Sequence, residues 1–320
     1  MDYKCLNQEH LDKMLNFYKV LYKNLKNTNI VNILYGSLAY AYFTGDENIE
    51  INDIDFIAYE KKFPEIIKLI QSQENVVCQL TDHNSLRLLK DKAKLSIHSQ
   101  ELALEIVNFS DNLINIEING AKFVSLGLDD LIKFYQKGCS YDIQRKTGYT
   151  NKLNNLIAKK FENHTFFFLK PSTIERNNYN EIINFIIKNG FEIIDKKEII
   201  LSYDDIEYLY KDEYNKLIPI LGTENTQKAM EINQKLYKDK KCILLLVKSQ
   251  NAIQKADKLK GNTYWPINCN TESIRYIFRN KEFDNIEVPA GKIVDVPCDN
   301  IIHAPKHNEE FINVIKRWFI

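Results

Sequence analysis

A Gly-Ser pair followed by an Asp-x-Asp triplet near the N-terminus constrains the fold of this chain more than any other feature. Gly36 and Ser37 directly follow an apolar run of strand type, and Asp53 and Asp55 open the next such run. Because alternate residues of a strand point to one face, the two carboxylates project together. Glycine lets the backbone approach a phosphate closely, and a serine at a helix start can donate its hydroxyl and its amide. We therefore predict a strand, a tight turn into a helix, and a second strand that together gather these four residues.

The chemistry of these residues favours a site for a divalent cation and a triphosphate. Mg²⁺ is a hard ion that prefers carboxylate oxygens, so Asp53 and Asp55 are candidate metal-binding and catalytic residues, with Mn²⁺ as the alternative ion. Two bound ions could stabilise the attacking and the leaving oxygen of an in-line displacement at phosphorus. Gly36 and Ser37 are the candidate nucleotide-binding residues. The competing interpretation is that Asp-x-Asp marks only a solvated strand edge.

This order of motifs resembles the minimal nucleotidyltransferase family, which is related to polymerase β, over about residues 28–137. The resemblance implies a mixed sheet with helices, and nucleotidyl transfer from a nucleoside triphosphate to an acceptor. It also implies a third carboxylate on a later strand. Glu105 is the candidate for this third catalytic and metal-binding residue, and Glu117 is the alternative.

A second series of elements begins near His164, so the chain divides into two regions. Its length supports this division, because 320 residues are many for a single core. We predict a first domain over 1–160, with a helical connector at about 143–161, and a second domain over 163–320. The second series runs strand, helix, strand and then helix, strand, helix, which is typical of a ferredoxin-like βαββαβ core with extra helices. The predicted fold class is α+β.

Hydrophobic periodicity predicts the individual elements. The predicted helices are 8–27, 38–43, 63–70, 128–136, 179–188, 204–214, 251–258, 273–278 and 309–318. The predicted strands are 30–35, 53–59, 76–80, 93–97, 102–109, 114–124, 165–169, 191–201 and 242–247. The segment 114–124 contains the pair Asn119-Gly120, which is typical of a tight hairpin turn.

The composition argues against several classes of function. The chain has 43 basic and 43 acidic residues, and a net charge of zero is unfavourable for broad binding to nucleic acid or an anionic membrane. Its six cysteines are scattered without a CxxC pair, which indicates neither a disulfide framework nor a zinc site. No apolar run approaches the roughly 20 residues of a membrane span, and the N-terminal segment lacks the apolar stretch of a signal peptide. We expect a cytoplasmic protein without membrane contact.

A histidine near the C-terminus is a candidate nucleophile. His303 follows Ile301 and Ile302 and precedes a short final helix, while Lys170 ends an apolar strand and Arg275 opens a short helix. Phosphoryl relay needs an imidazole held in one tautomer. It also needs cations and hydroxyls near the phosphates, because the transferring group spreads its charge over its oxygens. A lone histidine is more often a structural residue, so a buried histidine without chemistry is the alternative.

In their order along the chain, these features resemble the nucleoside diphosphate kinase family over about residues 163–319. The resemblance implies a ferredoxin-like kinase domain in which one histidine carries a phosphoryl group between nucleotides. The implied roles are a phosphorylated His303, a sugar-contacting Asn300, phosphate-binding Lys170, Thr263 and Arg275, and Tyr210 beside the histidine. Many enzymes of this family are hexameric or tetrameric, so a homo-oligomer is also implied.

Several residues near His303 depart from the pattern of that family. Ala304 and Pro305 follow the histidine where Gly-Ser is usual. Val314 stands at the position of a glutamate that orients the histidine. Glu309 or Glu310 could provide that orientation from the first turn of the last helix.

Other departures concern the contacts with nucleotide. Asp257 stands where an arginine is expected, and Lys258 or Lys260 could substitute for it. Ile218 stands where a nucleobase-stacking phenylalanine is expected, and the segment 279–299 carries extra residues.

Both regions would bind nucleoside di- and triphosphates, so the leading hypothesis is a bifunctional enzyme. His303 would pass a phosphoryl group to a nucleoside diphosphate, and the Asp53–Asp55 site would transfer a nucleotidyl group to an acceptor. We expect this acceptor to be a small molecule rather than nucleic acid. One alternative is an active nucleotidyltransferase whose kinase-like region only binds nucleotide or forms oligomers. Another is a nucleotidyltransferase of toxin–antitoxin or defence type that modifies a protein or a tRNA.

Overall fold

The structure is a computed structural model of the chain and forms two compact units, Met1–Lys160 and Phe161–Ile320. It describes residues 1–25, 28, 30, 32–71, 75–81, 85–99, 112–141, 146–262, 265–285 and 300–320. None of the helices in these ranges is both long enough and apolar enough to cross a membrane.

The elements described in the first unit alternate between helices and strands. They are α1 (Gln8–Leu25), β1 (Ile33–Tyr35), α2 (Gly36–Thr44), β2 (Ile54–Ala58), α3 (Phe63–Gln71), β3 (Val77–Thr81), β4 (Ser85–Lys90), β5 (Ala93–Ser99), β6 (Leu113–Ile118), β7 (Ala121–Leu126), α4 (Leu128–Tyr141) and α5 (Lys146–Lys160). A short 3-10 helix, Glu60–Lys62, precedes α3.

These strands form a mixed seven-stranded sheet with the order β3-β4-β5-β2-β1-β7-β6. β2 pairs antiparallel with β1 and parallel with β5, and β1 pairs parallel with β7. α2 begins at Gly36, directly after β1, and Tyr35 at the end of β1 pairs with Asp55 of β2. The predicted order of strand, turn, helix and strand is therefore confirmed, and it places the Gly-Ser pair beside the Asp-x-Asp triplet.

The core of the first unit lies between α1 and the sheet. The buried residues of α1 have helical spacing and are Leu11, Met14, Leu15, Phe17, Tyr18, Leu21 and Leu25. Tyr18 stacks on Phe56 of β2 and Phe123 of β7, with ring centroids 5.0 and 4.4 Å away. Burying a large apolar side chain contributes roughly 1.5–3 kcal/mol, so these rings bind α1 firmly to the centre of the sheet.

The predicted hairpin at Asn119-Gly120 is confirmed, whereas β4 has no counterpart among the predicted strands. Asn119 and Gly120 join β6 to β7. Their φ angles of 47° and 72° are positive, as the central residues of this type of two-residue hairpin turn require. In β4, only Leu86 and Leu88 alternate with an exposed Arg87, which is a short signal. The predicted strand over 102–109 lies outside the described residues.

The second unit also mixes helices and strands. Its described elements are β8 (His164–Leu169), α6 (Pro171–Glu175), α7 (Tyr179–Lys188), β9 (Glu192–Ile200), α8 (Tyr203–Leu221), α9 (Thr223–Tyr237), β10 (Lys241–Lys248), α10 (Ala252–Lys260), α11 (Ile274–Ile277), β11 (Ile302–His303) and α12 (Asn308–Trp318). Short 3-10 helices lie at Pro266–Asn268 and Lys281–Phe283.

The strands of this unit form a sheet with the order β11-β8-β10-β9. Each pair of neighbours is antiparallel, so β8 and β9 run parallel with β10 between them. This is the split βαβ arrangement of the predicted ferredoxin-like core. The helices α8 and α9 are additions between β9 and β10. The predicted helix 204–214 is longer in the structure, and α9 has no counterpart among the predictions.

The core of the second unit surrounds the two central strands. β8 and β10 are buried on both faces, as the unbroken apolar runs of their sequences indicate. The cluster of buried residues around them includes Phe167, Leu169, Ile182, Ile186, Phe191, Ile243, Leu245, Val247, Ile301 and Ile302. β11 pairs with the end of β8, so the segment around residue 303 is fixed to this core.

Candidate functional site

His303 lies in β11 and is held in an aromatic environment. Its side chain is buried, and its ring centroid lies 5.9 Å from that of Phe166 and 5.8 Å from that of Tyr210. Ile301, two residues earlier, has a φ of 39°, which is rare for a β-branched residue. The carbonyl of Ile301 accepts a hydrogen bond of 2.9 Å from the amide of Lys170, so the turn before His303 is fastened to the end of β8.

Glu310 of α12 orients the imidazole of His303. Its Oε1 lies 2.6 Å from Nε2 of the histidine, and its Oε2 accepts a hydrogen bond of 2.9 Å from the amide of Lys306. Burial acts to raise the pKa of Glu310, but the hydrogen bond from His303, the charge of His303 when it is protonated and the amide of Lys306 outweigh burial and lower this pKa to about 2. Of the two glutamates considered, the structure brings Glu310 to the histidine, whereas Glu309 is exposed. Val314 is buried in the core.

The contact with Glu310 determines which ring nitrogen of His303 can react. An ionised carboxylate only accepts hydrogen bonds, so Nε2 carries the proton and donates it to Glu310. Nδ1 then keeps its lone pair, and no residue in the described ranges hydrogen-bonds it. The first turn of α12 is held in turn by His307, whose Nδ1 accepts a hydrogen bond of 3.4 Å from the amide of Glu310.

Lys170 places a buried positive charge near this histidine. It follows the last residue of β8, and Pro171 begins α6, where the missing N–H of proline costs no hydrogen bond. Nζ of Lys170 donates a hydrogen bond to Oδ1 of Asn300 and lies 5.8 Å from the ring centre of Tyr210 and 5.1 Å from that of Tyr237. The two rings favour a cation through their π faces. Lys170, Asn300, Tyr210 and His303 therefore form one cluster.

Arg275 fastens the residue that precedes His303. Its Nε and Nη2 donate hydrogen bonds of 3.2 and 3.0 Å to the carbonyl of Ile302, and Nη1 donates one of 3.4 Å to the carbonyl of Gly261. Gly261 has a φ of 111°, and a Cβ there would meet the Ser273 hydroxyl at 3.0 Å, so glycine is required at this close approach. Arg275 is buried, and its guanidinium thus lies against the backbone of β11.

Lys260, rather than Lys258, lies near the histidine. Its Nζ donates a hydrogen bond of 2.8 Å to the carbonyl of Ala304 and forms an ion pair with Asp257, whereas Lys258 is exposed. Lys260, Lys170 and Arg275 are all buried. These three described cations therefore contact the segment 300–304 that carries His303. Positive charge at such a segment suits a polyanionic ligand.

The family resemblance also singles out two further positions, the implied phosphate-binding Thr263 and the departure at Ile218. Thr263 lies outside the described residues, and Ile218 is 41% exposed on α8. Tyr237 was missed by the sequence reasoning, although its ring stacks on Tyr210 at 6.0 Å. Its position at the end of α9 explains this, because that helix has no counterpart among the predicted elements.

The first unit brings Gly36, Asp53 and Asp55 together. Gly36 has a φ of 71°, and a Cβ at this position would come within 2.9 Å of the Cβ of Asp55. Only glycine therefore allows the start of α2 to approach this carboxylate. Burial raises the pKa of Asp55, and the nearby His98 opposes this effect. The charge of Asp53 raises that pKa further.

The strand next to the two aspartates carries basic and hydroxyl side chains. Lys94 of β5 lies 2.7 Å from Oδ2 of Asp53, and the hydroxyl of Ser96 donates a hydrogen bond of 3.0 Å to the same oxygen. Nε2 of His98 lies 3.6 Å from Oδ1 of Asp55. In this part of the described structure, Lys94, Ser96 and His98 therefore contact the acidic pair from the neighbouring strand.

The third carboxylate is not located among the described residues. Glu105 lies outside them. Glu117 is on β6, and β1 and β7 separate that strand from β2, so the structure does not bring Glu117 to Asp53 and Asp55. In the described ranges there is no group of three or more histidine, cysteine, aspartate or glutamate residues that could hold a metal ion. The two carboxylates themselves are hard oxygen donors on one strand face and fit a Mg²⁺ ion, provided that Lys94 moves away.

The hydroxyl of Ser37 contacts a lysine that the sequence reasoning missed. Nζ of Lys152, on α5, donates a hydrogen bond of 2.7 Å to Oγ of Ser37 in the first turn of α2. Burial lowers the pKa of Lys152, while the charges of Asp55 and Asp53 oppose this effect. This contact has little signal in the sequence, because α5 contains several lysines and Lys152 is 115 residues away from Ser37.

Comparison with known proteins shows what residues 163–320 are similar to. The nucleoside diphosphate kinase family model matches residues 163–320. None of the curated proteins compared with this chain matches it significantly. The resemblance inferred for this part of the sequence is thus confirmed, and residues 163–320 have a nucleoside diphosphate kinase-like fold.

Three similar solved structures are nucleoside diphosphate kinases. One, from Borrelia burgdorferi, is a transition-state mimic with bound vanadate and ADP; it is 18% identical, with a TM-score of 0.39, over 49% of this chain and 86% of that one. The enzyme from Pyrobaculum aerophilum is 21% identical, with a TM-score of 0.38, over 49% of this chain and 96% of that one. The apo enzyme from Encephalitozoon cuniculi is 19% identical, with a TM-score of 0.36, over 49% of this chain and 88% of that one.

Proposed function

We propose that residues 163–320 transfer a phosphoryl group between nucleotides through a phosphohistidine at His303. The observation that carries this proposal is the hydrogen bond of 2.6 Å from Nε2 of His303 to Glu310, which leaves Nδ1 as the nucleophilic nitrogen. The family match over 163–320 supports the reaction class. Buried cations at Lys170 and Arg275 suit the charge of the phosphates.

The reaction proceeds in two half-reactions. The lone pair of Nδ1 attacks the γ-phosphorus of a nucleoside triphosphate, the N–P bond forms, and the bond from phosphorus to the β-phosphate oxygen breaks. The nucleoside diphosphate leaves with that electron pair, and a second diphosphate then takes the phosphoryl group by the reverse displacement. Glu310 stabilises the positive charge that the ring gains, because its carboxylate stays ionised beside Nε2. Mg²⁺ bound to the triphosphate would neutralise part of its charge.

The test is transfer of label from γ-labelled ATP to the purified full-length chain. We expect an acid-labile label on the wild type that is absent from His303→Ala and is discharged by added nucleoside diphosphates. His307→Asn is the matched control, because asparagine keeps a helix-capping acceptor and should keep the label. Absence of label from folded wild-type protein that binds nucleotide would contradict the proposal. The second unit would then be a nucleotide-binding or oligomerisation module.

We also propose that the first unit transfers a nucleotidyl group to a small-molecule acceptor. The observation that favours this is the approach of Gly36 to Asp55, which places the start of α2 beside two carboxylates. An acceptor oxygen would attack the α-phosphorus, the bond to the β-phosphate would break, and pyrophosphate would leave. Ser37 and Lys152 would contact the phosphates, and Asp53 and Asp55 would hold a Mg²⁺ ion, which would stabilise charge on the reacting oxygens.

This second proposal is tested with α-labelled nucleoside triphosphates, Mg²⁺ and candidate acceptors, followed by mass spectrometry. Asp55→Asn should lower nucleotidyl transfer by about 10³-fold, while Asp91→Asn, in an exposed turn where asparagine also tolerates positive φ, should not. An adduct on a protein or a tRNA would instead favour the toxin–antitoxin or defence alternative. Transfer at an equal rate by wild type and Asp55→Asn would contradict a role for this site.

We propose that the two activities are linked in one chain, so that triphosphate made at His303 is used at the Asp53–Asp55 site. Linkage can raise the local concentration of such a product. We further propose a homo-oligomer, as the kinase resemblance implies. Light scattering should then give a multiple of the 37.6 kDa chain mass, and the mass of one chain would contradict self-association.

A further inference from the structure

Lys260 is a buried lysine whose charge is neutralised in an unusual way. Its side chain is 2% exposed at the C-terminal end of α10, and lysine is seldom buried to this degree without a partner. Its Nζ donates hydrogen bonds to the carboxylate of Asp257 and to the carbonyl of Ala304, the latter at 2.8 Å. Burial lowers the pKa of Lys260, and the hydrogen bond to Asp257 opposes this effect. The ammonium is thus costly to bury unless an anion stays close to it.

The position of Lys260 relates it directly to the proposed nucleophile. Ala304 follows His303, so Nζ of Lys260 contacts the carbonyl of the residue directly after the histidine. On the other side, Arg275 donates to the carbonyl of Ile302 at 3.0 Å. Two buried cations therefore bind the carbonyl groups of the residues before and after His303. The charge of Lys260 also lowers the pKa of Glu310, the carboxylate that contacts the imidazole.

The ion pair between Lys260 and Asp257 is asymmetric. The side chain of Asp257 is 43% exposed, whereas that of Lys260 is 2% exposed. The carboxylate can rotate into water at little cost, since water would solvate it there. The ammonium cannot leave without breaking the packing around it. An incoming anion at His303 would consequently replace Asp257 and leave Lys260 in place.

We propose that Lys260 binds the phosphoryl group carried by His303, and that Asp257 is the counter-ion which this phosphoryl group displaces. The inference rests on the proposed phosphohistidine function and adds a phosphate-binding residue to it. Lys260 forms and breaks no covalent bond. It exchanges its hydrogen bond to the carboxylate of Asp257 for one to a phosphoryl oxygen, and this contact is strongest as charge develops on the transferring group.

The first experiment measures the rate of phosphohistidine formation from γ-labelled ATP by the full-length chain. Lys260→Met should lower the rate at saturating ATP by about 10²-fold, and Lys260→Arg should recover most of it. Lys255→Met is the matched control on the same helix, because Lys255 also holds a backbone carbonyl, that of Gly190, at 3.0 Å. It should react like the wild type. A wild-type rate in folded Lys260→Met would overturn the inference.

A second experiment does not depend on phosphoryl transfer and uses inorganic phosphate as the probe. If Asp257 competes with phosphate for Lys260, Asp257→Asn should bind phosphate several-fold more tightly than the wild type. Its thermal unfolding midpoint should also rise more when phosphate is added. Equal phosphate affinity in wild type and Asp257→Asn would overturn the inference. This measurement remains decisive even if Lys260→Met does not fold and the first experiment cannot be done. If the wild type binds phosphate but is never labelled, the phosphohistidine proposal fails. The phosphate affinity of Asp257→Asn then still decides whether Lys260 binds phosphate.

Discussion

The two units differ in the charge that they offer to a phosphate group. Around His303, the described structure places buried cations, with Lys170 and Arg275 as examples, and one carboxylate that faces the imidazole. Around Asp53 and Asp55, it places two carboxylates at the start of β2, and the nearby basic side chains of Lys94 and His98 already contact them. The first arrangement can bind a polyanion by itself, whereas the second needs a divalent cation between its carboxylates and a phosphate. At the histidine site, basic side chains of the protein would thus supply the positive charge for a phosphate, whereas at the Asp53–Asp55 site a bound ion would supply it.

The two sites also differ in how the backbone creates them. His303 lies on a two-residue edge strand after a strained turn at Ile301, so its position depends on the bonds that fasten this turn. Asp55 lies on a central strand, and a glycine at the start of α2 allows the helix to approach it. A substitution at the glycine should therefore affect only the acidic site, and one at the carboxylate of Glu310 only the histidine site.

Among the variants that test how the two sites are held, the largest expected effect comes from Gly36→Ala. The new Cβ would come within 2.9 Å of the Cβ of Asp55 at a φ of 71°, so either the helix or the carboxylate must shift. We expect nucleotidyl transfer to fall by at least about 10²-fold, as misplacing a reacting group by about 1 Å does. Labelling of His303 should remain.

Gly45→Ala is the control for backbone strain in this experiment. Gly45 has a φ of 68° at the end of the same helix, but nothing lies within 4 Å of a Cβ there. The Gly45→Ala variant should lose some folding stability and keep its nucleotidyl transfer activity. If both variants lost transfer equally, the close approach of Gly36 to Asp55 would not be the cause.

An effect no larger than this is expected from Glu310→Gln. The amide oxygen can still accept a hydrogen bond from Nε2 of His303, but the negative charge that stabilises the ring during transfer is lost. We expect the rate of phosphohistidine formation to fall by about 10²-fold. Glu309→Gln, on the exposed side of the same turn, should keep the wild-type rate. Equal rates in all three proteins would show that Glu310 does not act on the reaction.

The smallest expected effect is a dependence of stability on pH. The pKa of Glu310 is lowered from 4.5 to about 2, so the unfolded chain binds this proton more readily than the folded one. The resulting stabilisation, about 3 kcal/mol, is fully present above pH 4.5 and is lost as the pH falls towards 2.

Urea unfolding followed by tryptophan fluorescence measures this effect in the second unit. Both tryptophans of the chain, Trp265 and Trp318, belong to that unit. Between pH 6 and pH 3, the unfolding free energy of Glu310→Gln should decrease less than that of the wild type. Glu309→Gln should behave like the wild type. An identical decrease in Glu310→Gln would contradict the pKa assigned to Glu310.

The sequence predicted the central elements of both units well, because their signals are local. The apolar runs of β8 and β10 and the Asn119-Gly120 turn determine structure within a few residues. The weakly periodic helix α9 was missed because local pattern does not distinguish it, and Tyr237 was missed with it. Contacts such as that of Lys152 with Ser37 join residues 115 positions apart and depend on the tertiary fold.

The residues that cluster around His303 were predictable to the extent that they follow the order implied by the kinase resemblance. His303, Lys170, Asn300, Tyr210 and Arg275 could be named from that order. The sequence did not show whether Glu309 or Glu310 reaches His303, because this depends on the direction in which α12 leaves its cap at His307. The burial of Lys260 was equally hidden, since a lysine at the end of a helix is normally exposed to solvent.

The most direct test of the account is to identify which nitrogen of His303 carries the phosphoryl group. NMR spectroscopy or isomer-specific detection distinguishes phosphorylation at Nδ1 from that at Nε2 after reaction with ATP. Because Nε2 lies 2.6 Å from Glu310, we predict modification of Nδ1 alone. A phosphoryl group on Nε2 of His303, or on another residue, would contradict the proposed mechanism.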